Sequence, residues 1–134
     1  MASILVVDDD EQVRTLIKAG LEKAGHEVRE AASVRQAFRC YQSSPADFVV
    51  MDILMPDEDG IEGIQAFGDE FAGARIFAMT GGSEWIDQGT LLDAAQMLGA
   101  SRVLKKPFPM GHLLDAITEG LNRQSSPASH STGA

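Results

Sequence analysis

What most constrains this chain is a repeated pairing: a short apolar run of strand length, then a stretch with helical spacing, five times over. The runs are Ile4-Leu5-Val6-Val7, residues 28–32, Phe48-Val49-Val50-Met51, residues 75–79 and Val103-Leu104. Val13, Leu16, Ile17, Leu21 and Ala24 follow the first at helical spacing, and Val34, Ala37, Phe38 and Tyr41 the second. Ile64, Phe67 and Phe71 follow the third, Leu91, Ala94, Ala95 and Leu98 the fourth, and Leu113 or Leu114, Ile117 and Leu121 the fifth. Gly25 stands where a left-handed cap is expected, Ser33 is an N-cap, Pro45 stops the second helix and Gly99 closes the fourth. Residues 53–60, with Pro56 and several acids, read as a loop. The third run is apolar without alternation, which suits a strand covered on both faces. Strand–helix alternation of this kind predicts an α/β fold: a five-stranded parallel sheet with helices on both faces and right-handed crossovers.

In such a sheet, sites form outside the carboxyl ends of the strands. The first strand ends at Asp8-Asp9-Asp10, the third at Asp52, the fourth at Thr80 and the fifth runs into Lys105-Lys106. Every group able to do chemistry therefore falls at one end of the sheet. Carboxylates that converge there repel one another, by about 4 kcal/mol for a pair at ~4 Å and an effective dielectric of ~20. Lys106 offsets part of that, and a hard divalent cation offsets the rest. Mg²⁺ fits best, because it takes one or two carboxylates, keeps waters and leaves room for a phosphoryl oxygen. The expected metal ligands are Asp9, Asp52 and the backbone carbonyl of Leu54, with Asp8 bound through water. Asp52 is the expected nucleophile, forming an aspartyl phosphate, and Thr80, the Gly81 N–H and Lys106 would hold phosphoryl oxygens. Asp10 reads as a helix cap and Lys105 as solvated. Cys40 reads as a small core or half-buried residue, and the three histidines show no metal-ligand spacing.

The 134 residues suffice for one domain, expected over residues 1–123. Residues 124–134 are rich in Ser, Ala, Gly and Pro without apolar periodicity, and are expected to be a disordered tail. A formal charge of −9 disfavours direct binding to a nucleic-acid backbone. No secretory leader and no apolar run of membrane-spanning length is visible, so a cytoplasmic location without membrane contact is expected.

The order Ile4-Leu5-Val6-Val7-Asp8-Asp9-Asp10, Met51-Asp52-Ile53-Leu54-Met55-Pro56, Asp59-Gly60, Thr80-Gly81, Gly99-Ala100 and Lys105-Lys106-Pro107-Phe108 resembles the receiver domain of bacterial two-component systems, the CheY-like response regulators. The resemblance covers about residues 3–123. It implies the flavodoxin-like (βα)5 fold with strand order 2-1-3-4-5, and a cis Lys106–Pro107 peptide. It further implies phosphotransfer to Asp52 from a histidine kinase or histidine phosphotransfer protein. The expected function is a phosphorylation switch whose only substrate is itself, not a turnover enzyme. Phosphorylation would alter the face of the fourth helix, fifth strand and fifth helix for a downstream protein, as a monomer or a phosphorylation-dependent dimer. The family pattern has an aromatic residue where this chain has Val103, which leaves a phosphorylation-independent interaction module as the alternative. An aspartyl-nucleophile phosphatase is disfavoured by Leu54, which stands where such enzymes need an acid. A nucleotide-binding enzyme is disfavoured because no glycine-rich loop follows the first strand.

Overall fold

The computed structural model describes residues 2–52, 54–55, 58–71, 73–80, 100–105 and 108–124. Strands β1 (Ser3–Val7), β2 (Glu27–Ala31), β3 (Phe48–Asp52), β6 (Ile76–Thr80) and β7 (Arg102–Lys105) form one parallel sheet in the order β2-β1-β3-β6-β7. Counted along the chain within that sheet, this is the expected 2-1-3-4-5. Helices α1 (Glu11–Lys23), α2 (Val34–Ser43), α3 (Gly60–Glu70) and α4 (Met110–Gln124) pack around it. The predicted helix with Leu91, Ala94, Ala95, Leu98 and Gly99 lies outside the described residues. So do the Lys106–Pro107 peptide and residues 125–134 of the expected tail.

The unbroken apolar runs have a direct cause. Side chains alternate across a strand, so a strand covered on both faces must be apolar at every position. Leu5, Val7, Val49, Met51, Ile76 and Ala78 point to one core, where Ala37 and Tyr41 of α2 and Phe67 of α3 close over them. Ile4, Val6, Phe48, Val50, Phe77 and Met79 point to the other, beneath Ile17 and Leu21 of α1 and Leu113, Ala116 and Ile117 of α4. Helices therefore cover both faces.

The expectations need correction in four places. Residues 53–60 are not all loop, since Leu54–Met55 (β4) and Glu58–Asp59 (β5) form a short antiparallel pair. Two residues per strand is too short for any periodicity to reveal. Leu16 does not join the core and is 72% exposed, because Ile17 and Leu21 define the buried stripe of α1 and Leu16 lies off it. β2 and β6 are each shifted by one residue from the predicted ranges. Finally, α4 runs through Gln124, one residue into the expected tail.

Local chemistry sets the helix ends. The Asp10 carboxylate accepts from the Gln12 and Val13 amides, at 2.9 and 3.4 Å, which makes it the N-cap of α1. Gly25, with φ +94°, ends that helix. Its N–H donates to the Glu22 carbonyl (2.9 Å) and the His26 N–H to the Leu21 carbonyl (3.1 Å), the paired bonds of a left-handed cap. The turn also places His26 beside the first strand, where its Nδ1 accepts from the Ala2 amide at 3.0 Å.

Burial holds the His26 pKa below its ordinary 6.5, and the positive amino terminus lowers it further. A histidine with a lowered folded pKa takes up its proton more readily when unfolded. Its contribution is therefore complete above about pH 6.5 and is lost as pH falls from there toward the folded pKa. His26→Gln is expected to lose less stability than wild type between about pH 7.5 and about pH 5.5. Urea midpoints at the two pH values check this, and parallel losses would contradict it.

Two helical glycines mark close approaches of opposite tolerance. A Cβ on Gly20 would stand 2.6 Å from the Met110 Cε, the far end of a flexible side chain. A Cβ on Gly120 would stand 2.7 Å from the Phe48 ring, which is fully buried, 5.1 Å from the Phe77 ring and covered by Arg75. Gly20→Ala is expected to remain within ~0.5 kcal/mol of wild type, as gained helix propensity of about 1 kcal/mol offsets the displaced methionine. Gly120→Ala is expected to lose about 1–2 kcal/mol net from overpacking. Chemical denaturation of both variants measures the contrast.

Candidate metal centre at the carboxyl ends of the strands

The two central strands end side by side. Val7 of β1 pairs with Met51 of β3, so Asp8 and Asp52 follow in adjacent columns and Asp9 comes one residue later. One carboxylate oxygen from each of Asp8, Asp9 and Asp52 can be chosen so that all lie within 4.8 Å of one another. Asp8 and Asp52 are 1% and 5% exposed, whereas Asp9 is exposed. Two acids are therefore held inside and the third closes the group from solvent. The sequence expectation that these three meet is met.

The backbone around Asp8 is tied in three ways. Its N–H donates to the Ala31 carbonyl of β2 (3.2 Å), and its carbonyl accepts from Arg14 Nη1 (2.7 Å). Its Oδ1 accepts from the Asp10 amide at 2.9 Å, which leaves Asp10 to serve as cap and Asp8 as part of the cluster. Three adjacent acids thus take three roles according to where the strand ends and the helix begins.

The donor set fits a hard divalent cation. It is all oxygen, anionic and gathered at one point. Oxygens bound directly to one Mg²⁺ stand at most ~4.2 Å apart, twice the ~2.1 Å bond. The three oxygens, all within 4.8 Å of one another, are close enough to share one such cation. As ionised groups at that spread, two of these acids would repel by ~3 kcal/mol at an effective dielectric of ~20, a cost a bound cation removes.

The other predicted groups are placed only in part. Thr80 is the last residue of β6, paired with Lys105 of β7, and Asp52 pairs with Met79. Its backbone thus stands at the same end of the sheet as the acids. The Thr80 side chain, Gly81 and Lys106 lie outside the described residues. Leu54 is two residues beyond Asp52, at the start of the short antiparallel pair, opposite Asp59. Val103 pairs with Ala78 and is half-buried against the core beneath α2 and α3.

Sequence reasoning missed Arg14. A weak signal was available: a cation near the amino end of a helix opposes the macrodipole, which favours a compensating acceptor nearby. Residues 4–118 match the response regulator receiver domain family. The chain is 38% identical over 120 residues to the chemotaxis protein CheY of Bacillus subtilis, covering 89% of this chain and 97% of that protein. It is 33% identical over 129 residues to the transcriptional regulator NtrC of Azospirillum brasilense, where it spans 95% of its own length but only 26% of the relative's. A solved receiver domain from Clostridium thermocellum superposes with a TM-score of 0.82 at 28% identity, over 92% of this chain and 97% of that one. No described helix is long and apolar enough to cross a membrane. With its sheet order, its acidic cluster and these relatives together, the chain belongs to the CheY-like response regulator receiver domains, signalling modules of two-component systems rather than turnover enzymes.

Proposed function

We propose that this receiver accepts a phosphoryl group on Asp52 from a phosphohistidine and acts as a single-domain phosphorylation switch. The observation that carries the reading is the convergence of Asp8, Asp9 and Asp52 at the carboxyl ends of β1 and β3. An Asp52 carboxylate oxygen attacks phosphorus, an O–P bond forms, the P–N bond breaks, and the leaving imidazole takes its proton from solvent. Asp9, Asp52 and the Leu54 carbonyl would hold Mg²⁺ directly, and Asp8 through water. The cation, when bound, offsets negative charge on the phosphoryl oxygens. Thr80, the Gly81 N–H and Lys106 would hold those oxygens from the other side.

The donor is a histidine kinase or histidine phosphotransfer protein, as membership in a two-component family implies. The similarity to the chemotaxis protein CheY of Bacillus subtilis supports a switch that works through the receiver domain itself, in the cytoplasm. Output passes to a downstream protein through the face that includes β7 and α4, from a monomer or a phosphorylation-dependent dimer. Incubation with Mg²⁺ and phosphoramidate, followed by intact mass, tests the reading. The expected result is one added phosphoryl group, with no incorporation when Mg²⁺ is chelated beforehand. A folded protein that takes up none would instead be a phosphorylation-independent interaction module.

A further inference from the structure

Arg14 lies one turn into α1 with its side chain 15% exposed. It bridges two acceptors at once. Nη1 donates to the Asp8 carbonyl at 2.7 Å and Nε to Glu30 Oε1 at 3.2 Å. Glu30, on β2, is itself held from the other side, its Oε2 lying 3.6 Å from Lys18 Nζ. The peptide that Arg14 grips joins Asp8 to Asp9. Among the described residues no hydrogen bond or ion pair holds the Asp9 carboxylate, so the placement of its backbone is what brings it within reach of Asp8 and Asp52.

We infer that Arg14 is a positioning residue for the acidic centre: by locking the Asp8–Asp9 peptide it aims the Asp9 carboxylate at the cation shared with Asp8 and Asp52, and Glu30 locks Arg14 in turn. This rests on the proposed Mg²⁺ site. The planar guanidinium serves both acceptors in one fixed geometry, which an ammonium on a flexible stem does not reproduce. Groups that orient metal ligands in this way typically change affinity by about 10–100-fold when removed.

The sign of the effect separates positioning from simple electrostatics. Arg14 carries a positive charge beside a cation site, so if charge alone mattered, removing it would tighten Mg²⁺ binding. Positioning predicts the reverse. Calorimetric titration of Mg²⁺ into wild type, Arg14→Gln, Arg14→Lys and Glu30→Gln makes the comparison, with unfolding temperatures recorded without metal. The expected result is a Kd raised about tenfold in both Arg14 variants, including the one that keeps the charge, and about threefold in Glu30→Gln.

Equal or tighter binding by Arg14→Gln overturns the inference. So does a lowered unfolding temperature with an unchanged Kd, which is what a purely structural bridge would give. Should the Arg14 variants fail to fold, Glu30→Gln decides: a raised Kd supports positioning and an unchanged one overturns it. Failure of wild type to bind Mg²⁺ sinks the metal reading itself, an outcome distinct from any variant effect.

Discussion

Asp52→Asn abolishes phosphoryl incorporation and, without a divalent cation, makes the fold more stable by about 1–3 kcal/mol. Asp52 is 5% exposed and shares its end of the sheet with Asp8, which is 1% exposed. With oxygens inside a 4.8 Å cluster, ionised Asp8 and Asp52 repel by ~3 kcal/mol at an effective dielectric of ~20. Asp9 is exposed, so its repulsion is screened to ~1 kcal/mol. An amide of the same shape removes both terms and the cost of keeping the charge out of water. It also weakens the favourable interactions that Asp52 makes as an anion, which keeps the net gain below the Coulomb sum. Saturating Mg²⁺ reverses the order. A cation at 100 times its Kd stabilises wild type by about 2.7 kcal/mol, and the amide variant by much less. Unfolding curves of both proteins with and without Mg²⁺ therefore cross over. A variant that is less stable than wild type without metal, and is stabilised equally by Mg²⁺, would show that Asp52 lies outside the site.

That prediction was readable from the sequence because the strands that carry the acids are the most legible part of the chain. Ile4 to Val7 and Phe48 to Met51 are apolar at every position, and both faces of β1 and β3 are buried. A parallel sheet then brings their carboxyl ends together without any further information. β2 was harder. Only Val28 and Ala31 are buried there, because it is an edge strand whose Arg29 caps the Cys40 and Ser44 carbonyls of α2 while Glu30 serves Arg14. Leu16 shows the limit of composition: an apolar residue one position from the stripe points outward whatever its hydrophobicity. Arg14 was harder to read for a related reason: its charge near a helix start hints at an acceptor, but one of its two acceptors is a backbone carbonyl, and sequence patterns record side chains.

The core that seats α3 gives the larger stability prediction. Phe67 is fully buried, with ring centroids 4.8 Å from Phe38, 5.4 Å from Tyr41 and 5.2 Å from Phe71. It lies between α2 and the sheet face formed by Val49, Met51 and Ile76. Phe67→Ala removes the ring from the centre of this group, whose members on α2 and the sheet are held by their own elements and cannot fully close the gap. The expected loss is about 3–5 kcal/mol, with an unfolding temperature lower by roughly 10–20 °C. Phe67→Leu retains most of the volume and is expected to lose under ~1.5 kcal/mol. The pair matters for the site because α3 begins at Gly60, directly after the strand that pairs Asp59 with Leu54. The same ring that fills the core thus anchors the segment leading away from Asp52. If the alanine variant unfolded within ~1 kcal/mol of wild type, α3 would be held by something other than this aromatic contact, and the short β4–β5 pair would need another anchor.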